Sequence, residues 1–423
     1  MKTIIKNGRV YDGVNPEYSA DILINDGIIE KIGQDLNETG AEIIDASGRL
    51  VLPGLVDMHC HLRDPGLEYK EDIVTGSRSA AAGGFTSIAC MPNTKPVDDH
   101  KTVTSYIKYK AERNGFARVY PIGAITKGLE GKELAPMESM KAAGAVAVSD
   151  DGNPVSSSGM MRKALIYANM FELPVISHSE ELSLSEDGSM NEGMTSTILG
   201  LKGIPASAEE VMVARDIMLA EETGTIIHIA HISTAGSARL VREAKARGVK
   251  VTCETCPHYF SLTDEECMGF NTLAKVSPPL RTAKDVAAII AAIADGTVDA
   301  IATDHAPHHS DEKETGFAEA AKGLIGFETA LAVAYECLVL PGHISLERLI
   351  ELMGISPAAI LGIEGGRLTE GGAADITIFD TEAKWSPSPE NIVSKSKNSP
   401  YIGKTLIGRV VLTLLGGRTV YGG

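Results

Sequence analysis

Residues 51–66 read VLPGLVDMHCHLRDPG, an apolar run that stops at two histidines one residue apart, His59 and His61, with Arg63 two positions further on. Side chains alternate faces along a strand, so a His-x-His pair at a strand end sends both imidazoles to one side. Paired imidazoles are natural ligands for a divalent cation, and the Arg63 guanidinium on the same face would place an anion-binding group beside it. Cys60, between the histidines, is expected on the opposite face, in the core.

Outward from this stretch, short apolar runs alternate with amphipathic segments of helical length, the rhythm of repeated βα units. Eight strands are expected over 55–61, 85–91, 118–123, 145–149, 175–178, 226–231, 249–254 and 299–304, with helices over 72–82, 160–171, 208–222, 237–247 and 283–294. Eight such alternations predict an α/β fold, a (β/α)8 TIM-type barrel spanning residues 53–364. An open doubly wound sheet is disfavoured because no Gly-x-Gly-x-x-Gly follows the first strand. Residues 1–52 are rich in Ile and Val broken by Asn-Gly and Asp-Gly, which reads as small hairpins, and 365–423 has the same character. The two ends are expected to pair into one small β-sandwich domain, with 384–404 as a long polar connection.

In such a barrel, chemistry gathers at the C-terminal strand ends. There the sequence offers His59 and His61, Asn93, the pair Asp150 and Asp151, His178, His231 and Asp304. Four histidines and two carboxylates exceed the ligand set of a mononuclear catalytic zinc, so two metals bridged by a carboxylate fit better. Adjacent Asp150 and Asp151 face opposite ways, and spacing alone leaves open which is the bridge. No lysine lies between Lys141 and Lys163, so a carboxylated lysine cannot take that place. Asp304 is the candidate catalytic general acid and base, passing a proton from attacking water to a leaving nitrogen. His228 and His258 read as structural or as supports behind the metal ligands, and His100, His309 and His343 as solvated.

A formal charge of -17 argues against nucleic acid or an anionic membrane as partner. No run of about 18 apolar residues is present, and the amino-terminal residues lack a signal-peptide pattern, so the cytoplasm is the expected location. The six cysteines show no disulfide framework, and Cys253 and Cys256 read as buried thiols.

The segments HLRDPG (61–66), MPNT (91–94), SDDG (149–152) and TDHAPH (303–308) together resemble the bacterial type I dihydroorotases of the amidohydrolase superfamily. The resemblance runs over almost the whole chain. It implies a binuclear zinc barrel that reversibly cyclises N-carbamoyl-L-aspartate to L-dihydroorotate in pyrimidine biosynthesis. It makes His59, His61, Asp151 and Asp304 ligands of one Zn2+ and Asp151, His178 and His231 ligands of the other, with Asp151 and a hydroxide bridging the two. It places His61, Arg63, Asn93 and His308 against the substrate, with Ser277, Lys322 and Gly323 as further contacts. Ser277 stands where the family commonly has Asn, and Lys322 where it often has an aromatic residue, so those two contacts are expected to differ. The resemblance is compatible with a homodimer and with association with aspartate transcarbamoylase. Two rivals are a hydantoinase-like cyclic amidase, disfavoured by the missing lysine, and an inactive homologue, disfavoured by the full ligand set. The charged loop 308–326 is a candidate lid.

Overall fold

The computed structural model describes residues 2–422. Its centre is a ring of eight parallel strands: β1 (Leu55–Cys60), β2 (Phe85–Cys90), β3 (Arg118–Ala124), β4 (Ala147–Ser149), β5 (Val175–Ser177), β6 (Ile227–Ile229), β7 (Val251–Thr255) and β8 (Ala300–Ile301). Neighbours in sequence are neighbours in the sheet. The ring closes where Cys60 bridges His305 in parallel and the His61 N–H donates to the His305 carbonyl at 2.8 Å. The barrel expected from the sequence is therefore present, with strand ends within a few residues of the expected ones.

Adjacent residues of one strand join different apolar clusters, as a pleated strand demands. Ile88, Val148, Val175 and Ile229 pack with helix residues such as Ile107, Leu165, Val213, Val241 and Ile289. Their neighbours Ala89, Ala147, Ile176 and Ala230 form a separate cluster with Ala300 and Ala302, mostly small side chains suited to a narrow interior. The helices start where their caps dictate. Asp72 accepts from the Val74 and Thr75 N–H groups while Thr75 Oγ1 accepts from the Asp72 N–H, opening the helix Ile73–Ala82, and Thr282 with Asp285 does the same for Ala283–Ala294.

Both chain ends enter a second eight-stranded sheet, where Leu50–Pro53 pairs antiparallel with Ile376–Phe379. Strand Lys2–Val10 joins its parts, taking Glu42–Asp45 and then Leu50–Val51 along one edge. Ile5, Ile22, Ile24, Ile29, Ile376 and Leu414 make its core. The Asp26-Gly27 pair forms the expected tight turn, with both residues at positive φ between strands Tyr18–Asn25 and Ile28–Gly33. Asn7-Gly8 does not turn the chain: it sits in a bulge inside Lys2–Val10, where the register shifts between Ile5 and Gly8. The segment read as a polar connection also differs in part. Strand Ile376–Trp385 runs into it, and Ser394, Ser396, Asn398 and Ser399 are buried against the barrel mouth.

Candidate active site

The two histidines of the opening motif lie at an irregularity in β1. Between Asp57 and Cys60 the strand spends three residues where β2 spends two. Such a bulge re-aims side chains at a strand end. His59 and His61 thereby both reach the interior, while Cys60 donates its thiol to the Ala89 carbonyl on the far side. Asp57, fully buried, accepts from the Thr303 N–H at 2.8 Å and the Thr303 hydroxyl at 2.7 Å, tying β1 to the segment that carries Asp304.

The carboxylate of Asp151 is the hub. Its Oδ1 lies 3.5 Å from His59 Nε2, 3.3 Å from His178 Nδ1 and 3.3 Å from His231 Nε2, and its Oδ2 lies 3.5 Å from His61 Nε2. Asp304 Oδ1 stands 3.1 Å from His61 Nε2 and 3.7 Å from His59 Nε2. Asp151 with His59 and His61, and Asp151 with His178 and His231, are two buried groups with the atom types and spacing of metal sites. The ambiguity between the adjacent aspartates is removed by hydrogen bonds. Asp150 Oδ1 accepts from the Ile125 and Thr126 N–H groups at 2.8 and 3.0 Å, and Oδ2 from the Thr126 hydroxyl, so Asp150 is consumed in a loop and Asp151 alone faces the cluster.

The other ring nitrogens fix the tautomers. His59 Nδ1–H donates to Glu254 Oε1 at 2.5 Å, His61 Nδ1–H to Asn93 Oδ1 at 2.9 Å, and His178 Nε2–H to Glu180 Oε2 at 3.3 Å. Each leaves a lone pair aimed at the centre, the arrangement in which outer acceptors orient metal-ligating imidazoles. His59 Nε2 is buried with no hydrogen-bond partner, and His178 Nδ1 and His231 Nε2 converge to 2.9 Å. Buried lone pairs meeting in this way call for a cation between them. The donor set of imidazole and carboxylate therefore fits divalent metal.

Three backbone positions here are at positive φ without being glycine: Arg63 at 62°, His231 at 34° and Asp304 at 44°. Such conformations persist only where the surroundings enforce them, and they cluster at functional sites.

Beside the cluster, Arg63 donates from Nε to the Pro307 carbonyl at 3.2 Å and holds NH2 3.3 Å from His308 Nε2. Burial, then Arg63 and Lys70, push His308 down to about 3, so its ring is neutral near pH 7. Asn93 uses its carbonyl on His61, which leaves its NH2 group to donate. Ser277 is half-buried in a crevice it shares with His178 and Glu180. Lys322 has an exposed side chain, and its carbonyl lies 3.0 Å from His308 Nε2, while Gly323 is buried next to it.

The loop 308–326 is tied down from two sides. Lys313 is buried and donates to the carbonyls of Thr272, Lys275 and Ala321, and Lys275 donates in return to Phe317 and Ala318. His228 binds Thr252 and faces Glu254, and His258 is buried, as expected for structural histidines, whereas His100, His309 and His343 are exposed. Sequence reading passed over Glu254, Asp57 and Glu180. A carboxylate at the end of β7 was the one available signal for Glu254.

The chain is similar to known proteins over its whole length. The "Dihydro-orotase-like" family model matches residues 48–237, and the "Amidohydrolase family" model residues 204–421. A dihydroorotase of Acetivibrio thermocellus is 58% identical over 418 residues, covering 99% of this chain and 98% of its own. One from Ruminiclostridium cellulolyticum is 56% identical over 421 residues, covering 99% and 98%. The chain belongs to the dihydroorotase family. Solved structures share the fold of this dihydroorotase-family chain. An L-hydantoinase from Arthrobacter aurescens aligns with a TM-score of 0.89 at 27% identity, over 99% of this chain and 96% of that one. A dihydropyrimidinase from Brevibacillus agri gives 0.86 at 25%, over 100% and 95%. Among the described residues, no helix is long and apolar enough to cross a membrane.

Proposed function

We propose that the protein is a dihydroorotase, interconverting N-carbamoyl-L-aspartate and L-dihydroorotate. The observation that carries this reading is the Arg63–His308 pair, 3.3 Å apart at one side of the Asp151 cluster. A forked guanidinium beside a neutral imidazole suits a substrate carboxylate, which dihydroorotate has and a simple hydantoin lacks. Asn93, on the His61 side, adds an amide donor for the same group. Ser277 and the turn at Lys322 and Gly323 would complete the walls of the pocket.

His59, His61, Asp151 and Asp304 would hold one zinc ion and Asp151, His178 and His231 a second. When bound, the pair supplies a water of lowered pKa and polarises the amide carbonyl. In hydrolysis a C–O bond forms at the ring amide carbon and its C–N bond breaks. Asp304 takes the proton of the attacking water and delivers it to the departing nitrogen. In cyclisation Asp304 takes a proton from the carbamoyl nitrogen, that nitrogen attacks the carboxyl carbon, the bond from that carbon to its hydroxyl oxygen breaks, and Asp304 delivers the proton to this oxygen, which leaves as water. Arg63, Asn93 and His308 grip the carboxylate away from the reacting atoms, which fixes the ring over Asp304.

The cysteines are free, and all but Cys337 are buried, which fits a reducing cytoplasm. A homodimer, or association with aspartate transcarbamoylase, rests on the family resemblance.

The test is turnover of L-dihydroorotate against hydantoin by protein of measured metal content. Preference for dihydroorotate, lost on chelation and restored by zinc, is expected. Preference for hydantoin, or undiminished activity after the metal is stripped, overturns the reading.

A further inference from the structure

The segment 391–399 lies far in sequence from every residue assigned to the site, yet it is fastened over the barrel mouth. Glu328 accepts from the Val393 and Ser394 N–H groups at 2.8 and 2.9 Å. Glu71, fully buried, accepts from the Ser394 hydroxyl at 2.5 Å and the Lys395 N–H at 3.2 Å, and the Ser396 hydroxyl donates to the Lys70 carbonyl at 2.7 Å. A buried carboxylate just ahead of the helix Ile73–Ala82 and a half-buried one in the helix Phe327–Ala334 thus hold the strap in one place.

At its end stands Asn398, 3% exposed. Its Oδ1 accepts from the His308 N–H at 3.0 Å. Its Nδ2 donates to the Ala306 carbonyl at 3.0 Å and the Gly323 carbonyl at 3.1 Å. Its own carbonyl accepts from the Ile325 N–H at 3.0 Å. One N–H and two carbonyls around the side chain leave a single orientation for the amide. A single residue therefore bonds both the loop that carries His308 and the turn that carries Lys322 and Gly323, and it meets neither the Asp151 cluster nor Asp304.

We propose that Asn398 is a positioning residue of the substrate site, fixing the spacing between His308 and the 322–323 turn so that both meet the substrate carboxylate end. The proposal rests on the dihydroorotase reading above. The groups that Asn398 holds are remote from the bond that breaks, so its loss removes binding shared by ground state and transition state. That raises KM more than it lowers kcat. A merely structural role would lower the amount of folded protein and leave KM of the remainder unchanged.

The experiment compares metal-loaded parent, Asn398→Ala, Asn398→Asp and the control Asn391→Ala. Asn391 lies on the same segment and bonds only Ser388 and Ser386. KM and kcat for L-dihydroorotate, zinc content and Tm are measured for each. The Asp variant is isosteric and keeps the acceptor for His308, but it presents oxygen to the two carbonyls. For both Asn398 variants we expect KM to rise about tenfold or more, kcat to fall by less, and zinc content to match the parent. The control should behave as the parent. Folded variants with KM within twofold of the parent overturn the proposal, as does a fall confined to kcat. If neither Asn398 variant folds, the residue is structural and the proposal fails. A parent inactive on dihydroorotate defeats the functional reading itself, an outcome distinct from an active parent with indifferent variants.

Discussion

His59 Nδ1 lies 2.5 Å from Glu254 Oε1, and the other oxygen of the same carboxylate lies 3.3 Å from His228 Nε2. Burial alone would raise the Glu254 carboxyl, but the facing imidazoles of His59 and His228 hold it at about 2, so it stays an acceptor. It fixes which nitrogen of His59 looks into the barrel. Glu254→Gln presents the ring with an amide that binds it more weakly. Affinity for divalent metal should fall about 10- to 100-fold, read by competition with a chromophoric chelator. Unchanged affinity would show that His59 needs no outer partner.

Asp304 Oδ1 faces the rings of His61 and His59, at 3.1 and 3.7 Å from their Nε2 atoms. Asp304→Asn keeps the shape and removes the proton acceptor. Turnover should drop about 10²- to 10⁴-fold while most bound metal stays. Stopped-flow rates with metal analysis check this, and a variant retaining most of its rate would give the proton transfer to another group.

Gly323 has φ of 140°, and a Cβ there would stand 2.8 Å from the Ala306 Cβ and 3.1 Å from His308 Cδ2. Gly323→Ala must therefore shift His308 or twist the turn. The expected result is KM raised roughly tenfold with metal content unaltered, measured by steady-state kinetics on the purified variant.

Lys313 is buried among three carbonyls, and burial with the nearby Lys275 ammonium pushes its pKa from 10.5 down to about 7. Between those values the unfolded chain binds a proton that the folded chain does not, so stability rises with pH across that window. Below about pH 7 the penalty for the buried charge is felt in full. Lys313→Met removes the share of this residue, leaving that of Lys275, which burial lowers to about 8. The urea midpoint of the parent should gain on that of the variant as pH goes from about 6.5 to about 9, and a flat or falling difference would contradict it.

The barrel was legible because its signals are local. Apolar runs of strand length, helical periodicity between them, and His, Asp and Asn at the run ends are each visible within a window of a few residues. Spacing alone did not choose Asp151 over Asp150, a choice that only the family resemblance supplied, because it depends on Ile125 and Thr126 taking Asp150 away. Glu254, Asp57 and Asn398 escaped for the same reason: each is an ordinary polar residue whose partner lies far along the chain. Asn7-Gly8 carries the composition of a hairpin turn, yet pairing on both sides of Lys2–Val10 keeps it inside a strand as a bulge. Tertiary pairing overrode a local preference there, and the three serines and one asparagine of 394–399 were buried against their composition.

The pairing of Leu50–Pro53 with Ile376–Phe379 has a bearing on biogenesis. A ribosome emits the first of these partners long before the second, so the amino-terminal ribbons must wait with one flank uncovered while the whole βα ring is translated. Loop closure over such a separation is slow relative to local pairing. Amide protection over residues 50–52 should accordingly arrive after that of the ring, making Ile376–Phe379 the latch of the second sheet.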